Sequence, residues 1–398
     1  MPSDVSGTRD DSLSGKLIVA GVTGSIAAVR TVDLIRSLIR RGAEVRCVMS
    51  PAAQKIIHPQ ALEYASSNPV ITEITGRVEH VELCGDMGSA DLLLVAPATA
   101  NTIGKMAHGI DDTPVTTFAT TAIGSRKPVM VVPAMHEAMY RHPVVIRNLE
   151  ALQAMGVFLV NPKVEEGRAK IAESERVVLE AERLLGKRDL ANKRILVTSG
   201  STAERIDPIR ILTNRASGRT GTEIALEAYR RGAEVTVVHR SMQDLPFGEI
   251  YAESAKEMLD AVMLELPKGY DVLISAAAIA DYTLDPVKEK IKSGRELTLV
   301  LKPTQKLLKT VRSAYPDLKL VGFKAETGVT MEVLEKRAMD SMQSYGLDLV
   351  VANDVGAGGI GQQDNRVLII DSRGRKVAAE GRKRLIARRI VDAVVGMV

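Results

Sequence analysis

Several short segments of the chain combine glycine, hydroxyl and cationic residues where a strand gives way to a helix. The first is Gly21-Val22-Thr23-Gly24-Ser25, between an apolar run and an amphipathic one. Glycines let backbone approach a phosphate, and a helix start offers free N–H groups and a partial positive charge. The spacing is not that of a dinucleotide fingerprint. It suits a mononucleotide such as FMN, and equally a tight turn with no ligand. Three further loops carry small residues and proline: Ser50-Pro51-Ala52-Ala53, Ala96-Pro97-Ala98-Thr99-Ala100-Asn101 and Val132-Pro133-Ala134-Met135-His136. In the second half, Gly200, Ser201 and Thr202 follow a strand, and Ser217-Gly218-Arg219 precedes a helix. Both have the make-up of an anion cradle. Ala277 and Asp281 lie in another post-strand loop. Lys290, Lys292, Phe323 and Lys324 complete the candidates, although a lysine pair of this kind is more often a solvated face.

These segments need a scaffold that gathers strand ends. Strands are expected at 16–20, 44–49, 91–96, 128–132 and 157–160, with helices at 26–41, 99–108, 114–123, 143–155 and 174–185. Alternation of this kind means a mostly parallel sheet covered on both faces, with ligands at its carboxyl edge. A polar stretch, Gly186 to Arg194, then separates a second series with strands at 195–198, 234–238, 271–275, 297–301, 319–323, 348–352 and 367–370, and a last helix over 382–395. Arg40 to Val45 (RRGAEV) recurs as Arg230 to Val235, at the same place in the unit. The expected fold is therefore α/β: two Rossmann-like three-layer domains, 15–186 and 187–398, the first flavodoxin-like, after a disordered tail over 1–14.

Composition sets bounds. Of 398 residues, 45% are apolar and 26% charged, as in soluble globular proteins. Aromatics are only 3%, so the cores must be aliphatic. Net charge is +4 and the cations are dispersed, which gives no nucleic-acid arm. Two cysteines, Cys47 and Cys84, make neither a disulfide framework nor a structural zinc site. The polar first 14 residues lack the apolar core of a signal peptide, and no apolar run reaches the ~20 residues of a membrane span. A cytoplasmic protein without membrane or nucleic-acid partners is expected.

In the first half, the runs GVTGSIAA, SPAA, EHVEL, APATAN and VPAMH..MY stand in the order and spacing of the phosphopantothenoylcysteine decarboxylase family of flavoproteins, which this half resembles. The resemblance implies FMN held by Gly21, Thr23, Gly24, Ser25, Ser50, Pro97, Ala98, Thr99 and Asn101. It makes His80 the catalytic base, with Met135 and His136 at the substrate, and implies trimeric flavin-domain contacts in a homo-oligomer. The implied chemistry oxidises the cysteine thiol to a thioaldehyde, which provides an electron sink β to the carboxylate. Two departures stand out. His136 replaces the family's Asn, and the flap, Glu165 to Glu173, lacks the family's proton-donating Cys. Lys170 is the candidate donor there and Arg168 a candidate phosphate ligand; both are also readable as solvated. A flavin prenyltransferase is the runner-up for this half.

In the second half, TSGSTAERIDPIR, NRASGRTG, AAAIADY, EKIK, GFKAET and AND follow the order of the phosphopantothenate–cysteine ligase family, which residues 194–370 resemble. That family transfers the 4'-phosphopantothenate carboxylate to a nucleotide, usually CTP, and cysteine's amine then displaces CMP. The resemblance implies that Lys290 stabilises developing charge and Asn214 holds the acyl intermediate. It places Gly200, Ser201, Thr202, Ser217, Gly218 and Arg219 at phosphates, Lys292 and Ala277 at substrate, Asp281, Phe323 and Lys324 at the nucleotide, and Mg²⁺ as a phosphate clamp. Lys302-Pro303-Thr304-Gln305 departs from the family's Asn-Pro-Asp, which leaves CTP against ATP open. A regulatory flavin-binding protein with a dead site, or a dehydrogenase of two Rossmann domains, are the readings from other classes; the dehydrogenase lacks its fingerprint.

Overall fold

The computed structural model describes residues 6–160, 163–165, 168–170, 172–294, 296–354 and 364–398. The chain divides into two compact units, 1–186 and 187–398. Among the described residues, no helix is long and apolar enough to cross a membrane.

In the first unit, β1 (Leu17–Val22), α1 (Thr31–Ile39), β2 (Glu44–Met49), α2 (Pro51–Gln54), α3 (Pro59–Ser66), α4 (Glu79–Cys84), β3 (Leu92–Ala98), α5 (Ala100–Ala107), α6 (Pro114–Gly124), β4 (Val129–Pro133), α7 (Glu137–Tyr140), α8 (Pro143–Ala154) and β5 (Phe158–Leu159) follow in turn. A hairpin, β6 (Lys163–Glu165) and β7 (Arg168–Lys170), precedes α9 (Ser174–Leu185). The five-stranded sheet runs β2-β1-β3-β4-β5, all parallel, which is the flavodoxin-like order. Strand side chains alternate between faces. Ile18, Ala20 and Val22 therefore pack with α1 and α9, while Val19 joins Phe118 and Ile103 on the opposite face. The expected 26–41 helix is instead a 3₁₀ turn, Ile26–Arg30, followed by α1.

The N-terminal segment corrects the expectation of a disordered tail, at least over residues 6–14. Leu13 is fully buried, its N–H donates to the Arg41 carbonyl at 2.8 Å, and Ser12 Oγ donates to Glu182 at 2.5 Å. Arg41 and Glu182, both buried, form an ion pair at 2.9 Å. One buried leucine contributes about 1.5–3 kcal/mol, enough to hold a short segment with its backbone bonds.

In the second unit come β8 (Arg194–Ser199), β9 (Ala203–Arg205), β10 (Ile211–Thr213), α10 (Arg219–Arg230), β11 (Glu234–His239), β12 (Gly248–Tyr251), α11 (Ala255–Glu265), β13 (Val272–Ser275), β14 (Tyr282–Thr283), β15 (Lys302–Pro303), α12 (Leu307–Ala314), β16 (Lys319–Glu326), α13 (Met331–Tyr345), β17 (Leu349–Asp354), β18 (Asp364–Asp371), β19 (Lys376–Arg382) and α14 (Lys383–Val395). The eight-stranded sheet runs β12-β11-β8-β13-β16-β17-β18-β19, parallel except for its last two pairings. Ile195 and Val197 face α10 and α14, and Leu196 faces the cluster containing Met258 and Leu334. The strand expected at 297–301 does not form. Leu297, Leu299, Val300 and Leu301 are exposed, and the excursion is tied down by the short β14–β15 ladder and by bonds at Val287 and Ile291 rather than by the main sheet.

Candidate functional site

In the first unit the strand order reverses between β1 and β3, so the loops after β1, β2, β3 and β4 gather at one sheet edge. Hydrogen bonds stitch them together. Thr23 Oγ1 donates to the Pro97 carbonyl at 2.7 Å and accepts from the Thr99 N–H at 3.1 Å. The Ser50 N–H donates to the Val22 carbonyl at 3.0 Å, and the Ala134 N–H to the Ala98 carbonyl at 2.9 Å. The Ala96–Pro97 peptide is cis. Gly24 must be glycine, because a Cβ there would lie 2.5 Å from the Ala52 Cβ.

The hydroxyls each have a partner within the protein. Thr23 is buried and joins two loops. Ser50 Oγ caps α2 through the Ala53 N–H at 3.3 Å, Ser25 Oγ caps the following 3₁₀ turn at 3.4 Å, and Thr99 Oγ1 caps α5 at 3.2 Å. These residues shape the edge, and the exposed Asn101 is left facing out from it. Such a rim of glycine, proline and capped helix starts fits a phosphate-bearing cofactor such as FMN.

His80 is the second residue of α4 and lies edge-on to Phe118, with ring centroids 6.4 Å apart. Its Nδ1 is buried with no hydrogen-bond partner, and it makes no hydrogen bond to the loop cluster. His136 is exposed, and its Nδ1 accepts the Ala138 N–H at 3.3 Å, capping α7. While that bond stands, the ring's proton sits on Nε2 and the ring presents a donor. Met135 packs against the aliphatic core. The backbone of β7 passes beside α7, while the side chains of Arg168 and Lys170 lie outside the described residues. Both cysteines are fully buried. Burial pushes each thiol up to about 12, although a Ser66 hydrogen bond opposes this at Cys47 and the Lys127 charge at Cys84. Cys84 is a core residue, unsuited to replace a flap thiol.

In the second unit a cavity of about 450 Å³ opens at the corresponding switch, beyond the ends of β8 and β13. Of the candidates, Gly200, Asn214, Ser217, Gly218, Arg219, Ala277, Asp281, Phe323 and Lys324 line it. Two left-handed glycines fold its floor: Gly200 (φ 81°) and Gly218 (φ 76°), the latter directly before α10. Ser199 Oγ donates to the Gly218 carbonyl at 2.9 Å, and Asn214 Nδ2 to the Ala278 carbonyl at 3.1 Å. Asp281 pairs with Lys306, and Lys324 with Glu326 at 3.1 Å.

Four candidates fall outside the cavity lining. Ser201 and Thr202 are buried; Thr202 Oγ1 accepts the Ala280 N–H at 2.9 Å and so holds the 276–281 loop from behind. Lys290 and Lys292 are exposed, on the irregular segment between β14 and β15. That segment is anchored by Asp207, whose carboxylate accepts N–H groups of Ile209 at 2.8 Å, Arg210 at 2.8 Å and Ile291 at 3.2 Å, and pairs with Arg210. Burial works to raise the Asp207 pKa, but these donors hold it well below the usual carboxylate range. Sequence reading missed Lys306 and Lys383 and quoted Asn353 only within the AND motif, without a role; all three line the cavity. Lys306 stood beside a segment already singled out; Lys383 carried no local signal.

Residues 6–186 match the Flavoprotein family model, and residues 190–397 match the model described as DNA/pantothenate metabolism flavoprotein C-terminal domain. The chain is 48% identical over 396 residues to the coenzyme A biosynthesis bifunctional protein CoaBC of Thermococcus kodakarensis, covering 98% of this chain and 97% of that one. This chain belongs to that family. The family's protein from Methanocaldococcus jannaschii is 37% identical, covering 98% of this chain and 96% of that one. Among solved structures, the FMN binding protein AtHal3 is similar at 27% identity, covering 42% of this chain and 94% of that one with a TM-score of 0.37. As a member of the bifunctional coenzyme A biosynthesis family, the chain is a two-unit enzyme, and its N-terminal unit is of the flavoprotein type.

Proposed function

We propose that the C-terminal unit joins 4'-phosphopantothenate to cysteine and that the N-terminal unit decarboxylates the resulting phosphopantothenoylcysteine to 4'-phosphopantetheine. The observation that carries the reading is the cavity at the β8/β13 switch, which gathers Asn214, the Gly218–Arg219 turn, Asp281 and Lys324 from four separate segments.

In the ligase, CTP activates the phosphopantothenate carboxylate as an acyl nucleotide with loss of pyrophosphate, and cysteine's amine displaces CMP. Two anions must meet, so cations and free N–H groups are required where they do. The Gly218–Arg219 turn offers both. Asn214 spends Nδ2 on the Ala278 carbonyl, leaving Oδ1 to accept from the pantothenate moiety. Phe323, Lys324 and Asp281 bind the nucleotide. Lys290 stabilises the charge developing at the α-phosphate, which requires its segment to close over the cavity from the Asp207 anchor. Mg²⁺ enters with the nucleotide as a clamp on its phosphates.

In the decarboxylase, the loops after β1 to β4 hold FMN, with the Gly21–Ser25 turn, Ser50 and Pro97–Asn101 at its rim. Bound FMN supplies the two-electron oxidation of the thiol that makes CO2 a feasible leaving group, and returns those electrons afterwards. His80, with Nδ1 unpartnered, removes the thiol proton. His136 donates through Nε2 to the substrate carboxylate in place of the family's Asn. Lys170 supplies the proton of the reductive step and Arg168 meets the phosphate. Exposed Ile26 and Val29, just beyond the first loop, support a homo-oligomer built on flavin-unit contacts, working in the cytoplasm. A second reading, a working ligase with altered flavin chemistry, is favoured by the burial of both cysteines and the Cys-free flap.

The test incubates flavin-loaded protein with phosphopantothenate, cysteine, CTP and Mg²⁺ and follows products by mass spectrometry. Phosphopantetheine is expected. Lys290→Gln should abolish ligation yet still decarboxylate supplied phosphopantothenoylcysteine, and His80→Asn should do the reverse. Accumulating phosphopantothenoylcysteine in the wild type would select the second reading. Absence of any product, with ATP as with CTP, would refute the ligase assignment.

A further inference from the structure

The charges lining the C-terminal cavity do not balance. Among the described residues, its one lining carboxylate is Asp281, which pairs with Lys306. Lys324 is paired with Glu326. Two lining cations, Arg219 and Lys383, have no carboxylate partner among the described residues. Lys383 is the first residue of α14 and is only 8% exposed, so most of its side chain is withdrawn from water. An enclosed, unpaired cation beside a second cation is unfavourable on its own, and becomes favourable when an anion arrives. Burial, then the Arg219 charge, lower the Lys383 pKa, which marks both penalties. The backbone adds donors of the same sense. α10 begins at Gly218 with no side-chain cap, so the N–H groups of its first turn receive no side-chain acceptor, and Gly221 brings the helix so close that a Cβ there would lie 2.5 Å from Ser199 Oγ.

We infer that Lys383, with Arg219 and the first turn of α10, forms an anion subsite that takes a phosphate group of one of the ligase's two phosphorylated substrates. The inference rests on the ligase reading above and adds to it a residue outside every motif that suggested that reading. Two sources carry the same chemistry: the triphosphate of CTP and the phosphomonoester of phosphopantothenate. Lys383 binds and positions; no bond-making step is assigned to it.

The experiment titrates CTP and phosphopantothenate separately into the full-length, flavin-loaded chain by calorimetry, for the wild type, Lys383→Met and Lys383→Gln. Melting curves without ligand accompany each titration. Replacing the cation by an isosteric thioether should weaken one ligand on the order of 10- to 100-fold, as loss of a charge-assisted hydrogen bond does. The ligand-free melting temperature should hold or rise, because an unpaired buried charge is removed. Loss confined to CTP identifies the nucleotide as the occupant; loss confined to phosphopantothenate identifies the phosphomonoester. Unchanged affinity for both would overturn the inference, as would weakened binding accompanied by an equal fall in ligand-free stability in both variants, the mark of a structural lysine. A wild type that binds neither ligand would instead refute the ligase reading, and the inference with it.

Discussion

Gly218 and Gly200 offer a graded test of how the ligase cavity is built. Both have left-handed backbones, φ 76° and 81°, which an L-side chain adopts at a cost of about 1–2 kcal/mol. They differ in space. A Cβ on Gly200 meets nothing within 4 Å, whereas one on Gly218 would lie 3.0 Å from the Gly200 Cα and N and 3.3 Å from Ser199 Oγ. The near atoms at Gly218 are mostly backbone of the same floor, so they cannot swing away. Overpacking of this kind adds about 1–3 kcal/mol. Gly200→Ala should therefore cost about 1–2 kcal/mol and Gly218→Ala about 2–5 kcal/mol. If the turn yields, the cost appears in CTP affinity: about 5- to 30-fold for Gly200→Ala, and from about 30-fold to several thousand-fold for Gly218→Ala. If it holds, the cost appears as a fall in melting temperature of the second unit, about 4–20 °C for Gly218→Ala. Calorimetric titration with CTP and a melting scan read both, and the FMN content of the first unit serves as an internal control. Equal losses for the two variants would show that contact between the turns is irrelevant. No loss from Gly218→Ala in either reading would refute the close-approach argument.

Other perturbations reach different links. The Asp207 carboxyl is held below its ordinary range in the folded chain, so its contribution to stability is fully present above the unfolded pKa, about 4, and is lost as pH falls through the lower folded value. Acid unfolding of the second unit should begin below about pH 4, and Asp207→Asn should flatten that limb while slowing ligation, because the Ile291 N–H loses its carboxylate and the Lys290 segment its anchor. An unchanged acid limb together with wild-type ligation would remove the anchor from the argument. With its thiol pushed up to about 12 and enclosed in the core, Cys84 should react slowly with iodoacetamide at pH 8, and Cys84→Ala should decarboxylate as the wild type does. Rapid labelling that abolishes decarboxylation would make Cys84 a participant instead.

The chemistry of this protein also depends on groups that serve only to position others. Thr23 illustrates the distinction: one hydroxyl donates to one side of the Pro97–Thr99 loop and accepts from the other. A Thr23→Val chain keeps the shape of the side chain and leaves the buried Pro97 carbonyl and Thr99 N–H without that partner, so its effect on flavin would come through the loop rather than through a lost ligand contact. Thr202 likewise positions the 276–281 loop beneath the second unit's cavity, by accepting the Ala280 N–H.

What the sequence determined is local. Strands such as Glu44–Met49 and helices such as Ser174–Leu185 were legible because burial imprints a period of two or 3.6 on neighbouring residues. The loops that carry the chemistry were legible because glycine, proline and hydroxyl residues punctuate those periods. Leu297 to Leu301 has the apolar composition of a strand, yet a strand also needs a neighbour to complete its hydrogen bonds, and the described residues provide none. Tertiary structure alone decided the rest. It set the strand orders that put the switch points between β1 and β3 and between β8 and β13, and it turned Thr23, Ser50 and Thr202 inward as braces. It left Lys290 outside the cavity on its anchored segment, and it brought Lys383, at the start of the last helix, to the same cavity as the Gly218–Arg219 turn. Periodicity records whether a side chain faces the core, but not which distant group it meets there, and the pairing of charges and the spending of hydrogen bonds depend on that meeting.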